Sequence, residues 1–151
     1  MSAPVAVVGV GNPMRGDDGI GPAALRALAA DVAPAGADLV QLDGEPARLI
    51  EVWRGRRRVV VVDAARTGAP PGTIHRLTLD DDLGATTAPA SSHGAGVATA
   101  VALARRLDAL PDELVVLGVE PADVAMGEGL SAPVAAALPG LVTRIRAEVA
   151  R

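Results

Sequence analysis

Six side chains in this sequence combine chemical reactivity with positions at or near the ends of apolar runs: Asp17, Asp18, Asp43, Asp63, His93 and Glu120. Asp17 and Asp18 lie in the loop Gly9-Val10-Gly11-Asn12-Pro13-Met14-Arg15-Gly16-Asp17-Asp18-Gly19-Ile20-Gly21-Pro22, which follows the run Val5 to Val8. Glycines at 9, 11, 16, 19 and 21 permit backbone angles and close approaches that a Cβ forbids. Asp18, Asp63 and His93 together offer two carboxylate oxygens and an imidazole nitrogen, a set that suits a borderline divalent metal such as nickel or zinc. No local metal signature such as H-E-x-x-H supports the grouping, and each residue has a plainer reading. Asp18 serves equally as a charge at a helix N-terminus, Asp63 as a strand-end turn residue, and His93 as a residue of a helix start.

A dinucleotide site is the competing reading of the same loop. Gly9-x-Gly11 after a first strand, with Asp43 closing a second, imitates the Rossmann fingerprint. The imitation fails at position 14, where the third glycine is replaced by Met14, and at Pro13, which supplies no N–H to a pyrophosphate. Two carboxylates at the helix entrance would also repel phosphate.

The elements that must hold these residues alternate between strand and helix. Val5 to Val8 reads as a first buried strand and Pro22 to Val32 as a helix. Ala37 to Leu42 follows as a strand, and Pro46, Leu49, Ile50 and Trp53 form the apolar stripe of a short helix. Val59 to Val62, four consecutive β-branched residues, suit a strand buried on both faces and stop at Asp63. Ala64 to Gly72 is a loop and Thr73 to Leu79 an edge strand, with His75 facing solvent. Asp80 to Ser92 forms a long connection, in which Asp80 to Asp82 is a solvated turn. A helix then runs through Leu107, with His93 just before it or in its first turn and Ser91 or Ser92 as candidate N-cap. Leu114 to Val119 is the last strand and Ala132 to Ala150 the closing helix. The pattern predicts one α/β domain over residues 1–151, a mostly parallel twisted sheet between helices, with five strands and one antiparallel edge strand. In such folds ligands bind beyond the carboxyl ends of the strands, where Asp18, Asp43, Asp63 and Glu120 are placed.

Composition narrows the classes. The 151 residues include one Trp and no Phe or Tyr, so the core is built of Val, Leu, Ile and Ala. A net charge of −4 gives no general attraction to nucleic acid, and the basic run Arg54 to Arg58 lacks interleaved aromatics, reading as a solvated helix-to-strand connection. With no Cys there is neither a disulfide framework nor a thiolate nucleophile. No run approaches the ~18 uncharged residues that span a bilayer, and nothing marks a signal peptide, so a cytoplasmic protein without membrane contact is expected.

The loop from Gly9 to Gly21 resembles the opening motif of the hydrogenase maturation endopeptidases, which trim the large-subunit precursor of nickel-iron hydrogenases. Further likenesses follow in order: Val59 to Ala64 resembles the family's apolar strand ending in an aspartate, Ser92-His93-Gly94 its single histidine before a helix, Leu117-Gly118-Val119-Glu120-Pro121 its late strand, and Gly129-Leu130-Ser131-Ala132-Pro133-Val134 the start of its closing helix. The resemblance implies that Asp18, Asp63 and His93 form the metal-sensing and catalytic set, that nickel arrives in the precursor, and that a C-terminal peptide is removed beyond the cysteines holding it. The family places Glu or Asp at the position of Asp18. A nucleotide-binding module without catalysis and a metal-binding, chaperone-like descendant that no longer cuts remain as alternatives. Whether metal or carboxylate activates water stays open. Asp17 is expected to support the loop through backbone N–H groups or the helix entrance, worth about 0.5–2 kcal/mol as a cap. Asp43 and Glu120 are expected to assist rather than ligate, and Trp53 to lie in the core or at a subunit contact.

Overall fold

The computed structural model describes residues 2–81, 83 and 96–151. Its centre is β3, Arg58–Ala64, whose seven residues are all buried. Strands β1 (Val5–Val10), β2 (Ala37–Leu42), β4 (Ile74–Thr78) and β5 (Glu113–Val119) complete a sheet of order β2-β1-β3-β5-β4. All neighbours are parallel except β4, which runs antiparallel to β5 at the edge. The expected architecture is therefore present, including its antiparallel edge strand.

Strand alternation divides the core between the two faces of the sheet. Val59 and Val61 face α2 (Pro46–Trp53) and α3 (Gly96–Leu107), with Trp53 and Val97 completely buried between them. Val60 and Val62 face α1 (Ile20–Ala30) and α4 (Ala132–Val149), which contribute Leu28, Leu141 and Ile145. Without large aromatics other than Trp53, such a core fills by close approach of backbones. At Gly21 an added Cβ would lie 2.6 Å from Val10 N and 2.7 Å from Val62 O, so α1 begins directly on the ends of β1 and β3.

Element bounds differ from the sequence reading in instructive places. Helix α1 starts at Ile20, two residues before Pro22, because Gly16–Gly19 forms a 3-10 turn that leads straight into it. Arg56 and Arg58, expected in a solvated connection, are buried. The Arg56 guanidinium pairs with Asp38 at 2.6 Å and donates to the carbonyls of Val52 and Ala3. Arg58, 2% exposed, is bracketed by Glu113 and Glu148, and Arg76 joins it on Glu148. These two cations of the basic run thus tie the N-terminal edge of the sheet to α4 and to the chain start. Trp53 lies in the core. Asp80 and Asp81 are exposed, and Asp81 accepts from Thr78 N at 2.7 Å, closing the turn after β4. Among the described residues no helix is long and apolar enough to cross a membrane. Asp82, Ser91, Ser92 and His93 lie outside the described residues.

Candidate active site

At the carboxyl edge of the sheet, the turn from β1 into α1 brings Asp18 toward the end of β3. Gly11 makes the turn possible. Its φ of +138° is a glycine conformation, and an added Cβ would lie 1.9 Å from the carbonyl oxygen of Asp18. The loop then folds back on itself, so that Asn12 N donates to Asp18 Oδ2 at 2.8 Å and Asp18 N donates to Arg15 O at 3.1 Å. Asp18 is 5% exposed.

Asp63 is the penultimate residue of β3 and is 9% exposed. Ala64 N donates to its Oδ1 at 2.8 Å, the single hydrogen bond recorded for its carboxyl among the described residues. Burial pushes the Asp63 carboxyl well above the usual carboxylate range, the negative charge of Asp18 raises it further, and the Ala64 N–H opposes both only in part. Two carboxyls drawn from different elements therefore share a poorly solvated edge, where the charge of Asp18 disfavours that of Asp63. A cation placed between them would reverse that effect, because its own charge dominates the local electrostatics. The donor set available here is all oxygen, and His93, the expected nitrogen donor, is outside the described residues. Among those described, no group of three His, Asp or Glu side chains converges.

Asp17 does something different from its neighbour. Only 1% exposed, its carboxylate accepts from Ala122 N (2.8 Å), Asp123 N (3.0 Å), Ser131 N (2.7 Å) and Ser131 Oγ (2.7 Å). Burial alone would raise its pKa, but the hydrogen bonds from Ser131, Asp123 and Ala122 outweigh burial and hold the carboxyl below its ordinary value. Asp17 is thus a staple between the β1–α1 loop and segment 122–131, more than 100 residues away. Backbone bonds reinforce it: Asp17 N donates to Asp123 O (2.8 Å), Gly16 N to Gly127 O (2.9 Å), and Gly127 N to Met14 O (2.7 Å). The sequence reading identified the backbone-bonding role and missed the distant partner. The signal for it was the resemblance at Gly129-Leu130-Ser131, whose serine supplies two of the four donors.

Arg15 lies on this same double-loop lip. It forms an isolated bridge with Gly127, and its Nη1 is 3.7 Å from Met126 Sδ. Its Nε is buried with no hydrogen-bond partner among the described residues. Beside the lip is a cavity of about 270 Å³ lined by residues that include Gly16, Met126, Gly127 and Ser131.

The remaining edge acids are distributed as the sequence suggested. Asp43 is exposed after β2 and accepts from Glu45 N at 3.1 Å. Glu120, buried after β5, accepts from Thr67 N (2.9 Å) and Thr67 Oγ1 (2.7 Å) and so secures the loop after β3. Burial raises its pKa, and the bonds from Thr67, His75 and Gly68 overcome that and hold it low. His75, expected to face solvent, is instead three-quarters buried. Its Nε2 is 3.2 Å from Thr67 Oγ1 and 3.5 Å from Glu120 Oε1, because antiparallel β4 starts at the edge where the parallel strands end.

The family model described as hydrogenase maturation protease, HycI, matches residues 23–148. Hydrogenase expression/formation protein HupD of Thiocapsa roseopersicina is 34% identical over 125 residues, 80% of this chain; the chain spans only 55% of that relative's length. Among solved structures, the hydrogenase maturating endopeptidase HybD from E. coli aligns over 96% of this chain and 90% of its own, with 25% identity and a TM-score of 0.80. An endopeptidase from Escherichia coli covers 99% and 92% with a TM-score of 0.86; at 24% identity it speaks for the fold alone. The order of strands, the carboxyl pair at the sheet edge and these matches lead to one assignment: the chain belongs to the hydrogenase maturation protease family.

Proposed function

We propose that this protein is an endopeptidase that removes a C-terminal peptide from the nickel-loaded precursor of a nickel-iron hydrogenase large subunit. The observation that carries the reading is the Asp18–Asp63 pair: two buried carboxyls from separate elements, one of them with its ionisation opposed by burial and by the other, at the edge where α/β folds bind ligands. Structural acids in this protein look different. Asp17 and Glu120 each accept several hydrogen bonds and are held below their ordinary pKa, whereas Asp63 accepts one among the described residues. A buried carboxyl kept short of stabilising partners is the usual mark of a group kept for chemistry.

The nickel is cargo of the substrate. Asp18 and Asp63 supply oxygen ligands to it and His93 a nitrogen, leaving positions for the precursor's own thiolates. His93 precedes the first residue of α3, Gly96, by three positions. Family membership sets aside the nucleotide-binding alternative, and Pro13 and Met14 occupy the positions at which that fingerprint needs an N–H and a glycine. The chain has no Cys, so no cysteine nucleophile takes part.

The test is to incubate nickel-loaded precursor with the parent protein and with Asp18→Ala, Asp63→Asn, His93→Gln and Asp17→Ala, and to follow the precursor by intact mass. The parent should release a C-terminal peptide and the first three variants should not. Binding of loaded precursor without any cleavage by the parent would instead support the chaperone-like alternative.

A further inference from the structure

The lip that Asp17 staples in place carries a cation whose buried Nε has no hydrogen-bond partner among the described residues. A guanidinium presents five N–H donors. At Arg15 the recorded side-chain contact is with Met126 Sδ, a weak acceptor at 3.7 Å, and Nε is buried without any acceptor among the described residues. An unsatisfied buried donor on a charged group is costly and uncommon, and it calls for a reason. Arg56 and Arg58, both buried, show the contrast: each places its Nε on a backbone carbonyl and a terminal nitrogen on a carboxylate.

Position supplies the reason. The Arg15 carbonyl accepts from Asp18 N, so the cation is attached three residues from a carboxyl of the candidate centre. Its loop is fixed to segment 122–131 by the Gly16, Asp17 and Gly127 backbone bonds, and Met126 and Gly127, which Arg15 meets, also line the 270 Å³ cavity. A donor-rich group on a hydrogen-bonded lip, next to open space and in the same loop as Asp18, fits a peptide segment bringing oxygen acceptors.

We propose that Arg15 is a specificity-determining residue that grips the substrate peptide beside the bond to be cut, donating from its guanidinium to peptide oxygens. This rests on the endopeptidase reading for the identity of the peptide. The acceptor is an oxygen with negative charge or partial charge, and it comes either from an acidic side chain of the precursor's tail or from the main chain.

Two measurements test it. The first is processing kinetics on nickel-loaded precursor for the parent, Arg15→Ala, Arg15→Lys and Arg15→Met, the last keeping an unbranched stem against Met126. Loss of charged hydrogen bonds made equally in ground and transition states should raise KM by about tenfold or more in Arg15→Ala and Arg15→Met with kcat within about threefold, and Arg15→Lys should recover part of it. The second is calorimetric binding of a synthetic peptide with the sequence of the precursor's C-terminal tail, which requires no cleavage. The affinity should fall by a similar factor in Arg15→Ala, with a melting temperature close to the parent's. Repeating this with the peptide's acidic residues changed to amides separates the sources: if a side chain is the acceptor, the amide peptide binds parent and variant alike, and if the main chain is, the difference persists. Unchanged KM and peptide affinity in Arg15→Ala and Arg15→Met, or no binding of the peptide by the parent, would overturn the proposal. A parent that binds the peptide through Arg15 and cuts nothing would leave this contact standing and defeat the endopeptidase reading.

Discussion

Asp17→Ala is the substitution whose consequence departs furthest from what a helix-entrance acid would suggest. A cap removed from a helix costs about 0.5–2 kcal/mol. Asp17 instead collects four donors from segment 122–131 at 2.7–3.0 Å. Hydrogen bonds to a charged group contribute about 1.5–3 kcal/mol each, which sets an upper bound well above any plausible loss for the four together. Two effects reduce it. Asp123 is exposed and Ser131 half-buried, so their freed donors can reach water, and the substitution also relieves the burial of the carboxylate. The expected net loss is about 3 kcal/mol, a fall in melting temperature of roughly 6–12 °C for a chain of this length. The assay is thermal unfolding by circular dichroism at neutral and acid pH. Because the folded pKa of Asp17 lies below its ordinary value of 3.8, its contribution is present above that pH and fades as pH falls through the folded value, so the gap between parent and variant should narrow in acid. A melting temperature within about 3 °C of the parent at pH 7 would refute the staple and restore the simple cap.

Asp63→Asn should act in the opposite sense on stability. The raised folded pKa of Asp63 means that its ionised form opposes folding as pH rises above about 4, so the metal-free variant should melt higher than the parent at pH 8, with the difference vanishing near pH 3, while processing is lost; a lower melting temperature at pH 8 contradicts the carboxyl pair. Glu148→Ala removes the buried partner of Arg58 and the anchor of Arg76, and should cost about 3–5 kcal/mol in urea unfolding; a loss under 1 kcal/mol would show that Glu113 alone suffices. Gly11→Ala forces a Cβ against the Asp18 carbonyl at φ +138°, and should remove activity even where the chain remains folded, as judged by circular dichroism against precursor processing; full activity would mean that the loop has room to move.

The sheet was legible because its signals are local. Val59 to Val62 can hardly be other than a doubly buried strand, and the stripe from Pro46 to Trp53 matched its helix at both ends. The position of Asp18 and Asp63 at one edge followed from strand ends alone. What escaped the sequence is long-range pairing. Nothing beside Asp17 in sequence announces Ala122, Asp123 or Ser131, since three of the four donors are backbone N–H groups that every residue except proline carries. The basic run gave the wrong environment for Arg56 and Arg58 because their partners, Asp38, Glu113 and Glu148, come from other elements. His75 was misplaced for a related reason. An edge strand exposes one margin of its backbone, yet antiparallel β4 carries its first residues to the crowded carboxyl edge, where Glu120 and Thr67 meet the imidazole.

The central claim is that the Asp18–Asp63 edge acts on nickel held by a precursor. The most direct measurement is intact-mass analysis of one large-subunit precursor, prepared with nickel and without it, after incubation with this protein in the presence of a chelator too weak to strip the loaded form. The account predicts loss of a C-terminal peptide from the loaded precursor alone, whereas equal cutting of the metal-free precursor would contradict it.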